Sequence, residues 1–498
     1  MLEYHPRNHY VNDFTIMKKD GVYHLFHITG ERLKLSRGLT DQPRQGHAES
    51  RDLFHWKELP FVTALGGACS AVRHKDRYAL VDNVNKICWS RDLVKWSEPQ
   101  LLHFDFKKSV YETEWVQEKT RYNSHRDPNI HRDPERKSYL MFFCSRVRPD
   151  IEPDIFLRGC VGMAESEDLV HWKPLPPALP HGRHVFPESP HVIDIDGRYH
   201  MFFTISPENG LRHAVADSLR GPYREVENQD LLPCYVSASE TVKTGRGWLF
   251  LGRLEDRTER CNRSRLAPRA LCLPLGVRIL EDDSVAFRAL PELEKFRGNC
   301  LFDSKKHNLG DGWKALSGDC RINRSRAKAA NLHEDIPANS LFLSGNITTA
   351  LVGYRDSVAD FDLEFDMQLP TFNGNDVQYR GGFIIDGVKF SLCSVLKSFS
   401  CQDPDSDILA VKSVPQVKLD RYYHIRAFRC DGITQLYMDG NLLMYLPAYG
   451  RGEGRIEFFA DHNDLIVKDI RLWGIKASDP SGFDVDDPKG DIMNGIRF

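Results

Sequence analysis

Three acidic residues stand a short strand and a turn upstream of a recurring aromatic motif. They are Asp13 in Val11-Asn12-Asp13, Asp127 in His125-Arg126-Asp127-Pro128-Asn129-Ile130, and Glu188 in Pro187-Glu188-Ser189-Pro190-His191-Val192. Three carboxylates meeting in one place can divide the work of glycoside hydrolysis. One serves as nucleophile or base, one as an acid with a raised pKa, and one sets field and geometry. Like charges held close together raise one of the pKa values, so a Glu can keep its proton near neutrality. Arg126, beside Asp127, can hold a carboxylate ionised or hydrogen-bond a sugar hydroxyl. A lone Asp-Pro is most often a turn former. The matched offsets favour the functional reading for Asp127, whereas Asp133-Pro134 falls in a hairpin and reads as structural.

Such acids need elements that bring them to one axis, and a repeat of roughly fifty to sixty residues supplies them. One unit is a turn followed by an aromatic, apolar strand. It appears as Asp20-Gly21-Val22-Tyr23-His24-Leu25-Phe26, Lys75-Asp76-Arg77-Tyr78-Ala79-Leu80-Val81, Arg136-Lys137-Ser138-Tyr139-Leu140-Met141 and Asp196-Gly197-Arg198-Tyr199-His200-Met201. A weaker copy is Arg246-Gly247-Trp248-Leu249-Phe250-Leu251. A second unit follows most of these: Ser50-Arg51-Asp52-Leu53-Phe54-His55-Trp56, Ser90-Arg91-Asp92-Leu93-Val94-Lys95-Trp96, Ser166-Glu167-Asp168-Leu169-Val170-His171-Trp172 and a degenerate Asp217-Ser218-Leu219-Arg220-Gly221-Pro222-Tyr223; it reads as a turn that leads the Trp into an outer strand. Strand-rich units with their own turn chemistry predict the blades of an all-β propeller, five in number, over residues 1–297. The first strands of the blades then face a common channel, and the acids converge there. The second copy offers Gly66-Gly67-Ala68-Cys69-Ser70 at that place, which suits close approach of a ligand to the backbone at Ser70.

After about Gly298 the pattern changes. Phe361-Asp362-Leu363-Glu364-Phe365-Asp366-Met367 alternates as a half-buried antiparallel strand does. Tyr437-Met438-Asp439-Gly440-Asn441-Leu442 reads as a hairpin with an Asp-Gly turn. A C-terminal β-sandwich of jelly-roll type is expected over 298–476, followed by a tail, 477–498, rich in Asp, Gly and Pro.

The composition narrows the function classes. A net charge of -3 over 498 residues gives no basic excess for nucleic acid or an anionic membrane. No apolar run is long enough to span a bilayer. The first ten residues carry no signal core, so a cytoplasmic location is expected unless a leader has been removed. The 12 cysteines form no Cys-x-x-Cys pair and read as buried free thiols, which favours a reducing compartment. His47, His125 and His191 lie near the motif acids at spacings that fit no zinc pattern, and read as hydrogen-bond partners in a sugar pocket. Trp115 is assigned to core packing rather than sugar stacking, and Arg253, Glu255 and Asp256 are candidates to reach the pocket.

These segments together resemble glycoside hydrolase family 32, the invertase, inulinase and levanase family, which is related to family 43. Asn12-Asp13 with the Tyr23 strand is similar to that family's nucleophile motif, Gly46 to Trp56 to its next block, and Arg126-Asp127-Pro128 to its Arg-Asp-Pro motif. Glu188-Ser189-Pro190 stands where the family has Glu-Cys-Pro, and 267–294 resembles its link between propeller and sandwich. The resemblance implies Asp13 as nucleophile, Glu188 as acid/base and Asp127 as transition-state stabiliser holding sugar hydroxyls with Arg126. It further implies a retaining double displacement on terminal β-fructoside-like bonds, a carbohydrate substrate and no metal or other cofactor. Asn12, Arg126, His47, Ser70 and His191 are the expected substrate-binding residues. The sequence departs from the family at Phe14-Thr15-Ile16, at Phe26-His27-Ile28-Thr29-Gly30 and at Ser189. Two alternatives stay open: a family 43-like inverting enzyme on arabinosides or xylosides, and a non-catalytic carbohydrate-binding protein. A carboxylate separation of about 5–5.5 Å would mark retention and about 6.5–9.5 Å inversion.

Overall fold

The computed structural model describes residues 3–7, 9–31, 44–62, 65–113, 125–206, 210–227, 236–254, 270–328, 332, 334–345, 347–371, 380–405, 408–430, 433–446 and 454–476. Among them the chain is all-β, with helix limited to one α turn, Leu309–Gly312, and short 3-10 turns. It divides into two compact units between Phe287 and Arg288.

The first unit is a β-propeller. Antiparallel four-stranded sheets are built on Phe14–Lys19, Cys69–His74 and Phe186–Ile195, and a five-stranded sheet on Arg126–Arg132. Val236–Thr244 begins a further run through Gly247–Leu254 and Leu275–Ile279. These five leading strands contact one another in order, and Val236–Thr244 closes the ring onto Phe14–Lys19. The cores lie between neighbouring sheets. Phe26 packs with Leu80, Val81 with Tyr139 and Phe143, and Phe142 with Met201 and Phe203. The strand Tyr139–Arg146 is therefore buried along its whole length, because both of its faces meet a neighbour.

The two repeated motifs have distinct local causes. In Asp20-Gly21 and Asp196-Gly197 both residues adopt positive φ, as a tight hairpin between twisted strands requires. In the second motif the Ser50 hydroxyl accepts from Leu53 N–H at 2.8 Å, and Asp52 Oδ1 accepts from the N–H groups of Phe54 and His55. The Ser90 and Ser166 copies repeat these bonds. The turn forces its leucine to positive φ, 68° at Leu53, 67° at Leu93 and 68° at Leu169, while burying the side chain. Trp56 and Trp172 then enter outer strands, each donating its indole N–H back to the turn carbonyl. Trp96 departs from that expectation. It lies outside the strands, with its ring edge-on to Phe26 at 5.4 Å.

In the second unit one sheet runs Asn441–Leu446, Ile433–Met438, Tyr422–Cys430, Phe361–Gln368, Asp464–Ile475, Ser340–Ser344 and Asp319–Asn323. A seven-stranded sheet includes Ile456–Asp461 and Arg380–Ile385 as neighbours. Phe365 of the first sheet meets Phe458 and Phe383 of the second at 4.8 and 5.4 Å. The turn at Asp439-Gly440 forms as expected, with φ of 51° and 77°. The alternation in Phe361–Gln368 does not expose its polar face as the pattern implied. Asp362 is fully buried, accepting from Arg426 at 2.9 and 2.7 Å and from Arg297 at 2.7 Å. Arg426 on the adjacent strand and Arg297 cover the face that water was expected to cover. No helix among the described residues is long and apolar enough to cross a membrane.

Candidate active site

The site lies on the ring of leading strands, and local backbone irregularities aim its side chains. Arg126–Arg132 breaks register between Arg126 and Asn129, Phe186–Ile195 between Glu188 and His191, and Val236–Thr244 between Ser237 and Ser239. Each break carries a non-glycine residue at positive φ: Asp127 at 57°, Ser189 at 47° and Ala238 at 39°. Such bulges turn a side chain out of the pleat and cost of order 1–3 kcal/mol each. Pro128 and Pro190 follow two of them, where the missing N–H costs no ladder bond. Asp13 directly precedes Phe14–Lys19, and its carbonyl accepts from Ile28 N–H at 2.9 Å.

Asp13, Asp127, Ser189, His191 and Glu240 line one pocket with Ala68 and Cys69, partly open to solvent. Ser189 joins two of the acids. Its N–H donates to Asp127 Oδ2 at 3.1 Å and its hydroxyl to Asp13 Oδ1 at 3.4 Å. Arg126 joins the third: its Nη2 bonds Glu188 Oε1, while its Nε lies 3.6 Å from Asp127 Oδ2. Glu188 is thus tied to the pocket through Arg126 and is not itself part of the lining. The Arg126 guanidinium lies over the Phe186 ring at 4.5 Å, which fixes its plane. Burial pushes the Asp127 carboxyl well above the usual carboxylate range. Arg126 opposes that shift, and the charges of Asp13 and Glu188 add to it.

Other expected site residues divide between the pocket and the surrounding blades. Arg253 meets the pocket through Asp13: its Nη1 donates to Asp13 Oδ1 at 3.2 Å, while Nε and Nη2 anchor on the Ser237 hydroxyl at 3.1 and 2.7 Å. Glu255, Asp256 and Trp115 lie outside the described residues. His47, expected at the sugar, is buried within its blade, stacked on Phe26 at 4.5 Å and 3.1 Å from His24, and does not line the pocket. It belongs to the third strand of its sheet, away from the ring, which motif proximity in sequence concealed. Ser70 is likewise buried, accepting from Ile130 N–H at 3.0 Å and so joining two leading strands, while its neighbours Ala68 and Cys69 form pocket wall. Asn12 is outside the lining and its backbone N–H donates to Ile28. His125 stacks on Phe106 at 4.2 Å and bonds the Glu112 carbonyl. His191 does line the pocket, and burial lowers its pKa to about 3, so the ring is neutral.

The overall architecture has solved counterparts. The GH32 beta-fructofuranosidase of Bombyx mori superposes with a TM-score of 0.61 at 13% identity, covering 94% of this chain and 93% of that one. The exo-inulinase of Aspergillus awamori gives 0.61 at 11% identity over 95% and 98% of the two chains. A beta-fructofuranosidase of Schwanniomyces occidentalis, complexed with fructosyl-erythritol, gives 0.56 at 14% identity over 94% and 97%. The chain has the fold of these hydrolases. No family model and no curated protein matches it by sequence. The likeness therefore rests on architecture spanning nearly the whole of each chain.

Proposed function

We propose that the protein is a glycosidase of the family 32 type that hydrolyses terminal β-fructofuranosidic bonds with retention. The observation that carries this reading is the network Arg253–Asp13–Ser189–Asp127–Arg126–Glu188, which gathers three carboxylates at one pocket on the strand ring. The fold shared with beta-fructofuranosidases and an exo-inulinase supports it. The same reading takes residues 1–297 as a five-bladed propeller, 298–476 as a jelly-roll sandwich and 477–498 as a tail. The closed ring of five strands and the Phe365 contacts between sheets support that division.

Asp13 attacks the anomeric carbon and forms a fructosyl-enzyme ester. Arg253 and the Ser189 hydroxyl hold its Oδ1, which fixes the direction of attack. Glu188 protonates the departing oxygen, then takes a proton from the water that hydrolyses the ester. Arg126 bonds the Glu188 carboxyl and holds it beside the pocket. Asp127 faces the positive charge that builds on the flattening ring. No metal or organic cofactor enters this scheme.

An assay of the purified chain on sucrose, inulin, levan and aryl arabinosides and xylosides tests the reading. Fructose release from the first three is expected. Release of arabinose or xylose alone would replace it with the inverting, family 43-like alternative, and binding without turnover would leave a carbohydrate-binding protein.

A further inference from the structure

A polar belt lies one step beyond the bulges. Counting two residues on from Asp127, Ser189 and Ala238 gives Asn129, His191 and Glu240, all of which line the pocket. Glu240 is the acid of this belt, and the mechanism above does not use it. Two neighbours face its carboxyl. The Thr15 hydroxyl is one; Thr15 Oγ1 itself accepts from Ala71 N–H at 3.5 Å. His191 is the other. Its Nε2 accepts from Thr241 N–H at 3.0 Å, and its Nδ1 lies 3.5 Å from Glu240 Oε1. Asn129 Nδ2 lies 3.3 Å from the same nitrogen and its Oδ1 accepts from Val192 N–H, which holds the imidazole in place.

We propose that Glu240 is a substrate-binding residue: a neutral carboxylic acid in the pocket wall whose O–H donates to a ring hydroxyl of the bound sugar. The inference rests on the fructoside reading and adds to it a residue and its protonation state. The Thr15 hydroxyl takes one position on the carboxyl, which leaves hydrogen-bonding capacity on the acid for a ligand. Burial raises its pKa well above the ordinary value, and the Thr15 hydrogen bond only partly opposes this. A second observation points the same way. The Ser239 hydroxyl, in the same lining, is buried with no hydrogen-bond partner among the described residues. Two adjacent polar groups with unused capacity fit adjacent hydroxyls of a sugar ring, and a buried polar group left unpaired carries a cost that a ligand hydroxyl removes.

The test uses the full chain and two variants, Glu240→Gln and Glu240→Leu, with calorimetric binding of fructose and kcat and KM on sucrose. Gln keeps a donor in the neutral shape, so its fructose affinity is expected within about threefold of wild type. Leu keeps the volume without a donor, so a loss of about tenfold to a hundredfold is expected, with KM raised more than kcat is lowered. Unchanged fructose affinity in a folded Glu240→Leu overturns the proposal. A loss in Glu240→Gln as large as that in Leu overturns it too, because it would mean that the ionised form binds. If the wild-type chain binds no fructose and leaves sucrose intact, the fructoside reading itself fails and this subsite fails with it.

Discussion

Residues at the pocket divide into those whose type and offset announced them and those that only the backbone revealed. Asp13 and Asp127, which line the pocket, and Glu188, tied to it through Arg126, each precede a blade motif by a similar stretch. Glu240 was missed because its blade has the weakest motif, Gly247-Trp248, and because the bulge at Ala238 leaves no mark in residue type. Arg253 could be named but not placed, since nothing in sequence shows that its strand runs beside the Asp13 loop. Glu188→Gln is expected to slow sucrose hydrolysis by about a hundredfold to ten-thousandfold, and an aryl fructoside with a good leaving group far less. Comparing kcat for the two substrates checks this. Glu240 gives a separate test through stability. Its folded pKa is raised, so the native state holds a proton that the unfolded chain gives up above about pH 4.5. Stability from this group is present below that pH and lost as pH rises towards the folded pKa. Thermal melts of Glu240→Gln should match wild type at pH 4 and exceed it at pH 8; equal melting temperatures at both would contradict the buried neutral acid.

At the scale of elements, the turn motif was read correctly as a turn leading to Trp, and its cause is the pair of side-chain acceptors at Ser166 and Asp168. Ser166→Ala removes the acceptor for Leu169 N–H, whose leucine sits at positive φ, and should cost about 1–2 kcal/mol in denaturant unfolding. The strand Phe361–Gln368 teaches the opposite lesson. Its period of two was real, but period cannot tell water from a guanidinium as the partner of Asp362 and Glu364. Asp362→Ala leaves Arg426 and Arg297 facing a buried vacancy and should destabilise the second unit by about 3–5 kcal/mol. A denaturant midpoint equal to wild type would show that the cluster contributes nothing.

For the molecule as a whole, the period of the repeat set the all-β class and the propeller, because each blade buries its faces against the next and must repeat its apolar pattern. The separate pattern after Gly298 falls within the compact unit that begins at Arg288. What sequence did not convey is how many histidines the propeller unit buries in neutral form. Burial lowers His27 and His131 to about 4, and His47, His191 and His213 to about 3. Their unfolded forms take up protons below about pH 6.5, where the native rings do not, so stability falls as pH drops from there towards 3–4. Melting followed from pH 7 to pH 4 should show a steep loss in this unit; a flat profile would contradict the buried neutral rings. The central claim concerns Asp13, and the most direct measurement is kcat for sucrose in a folded Asp13→Asn variant. An amide cannot form the fructosyl ester, so turnover should fall by at least about ten-thousandfold. Hydrolysis at the wild-type rate would exclude Asp13 as nucleophile and contradict the mechanism built on it.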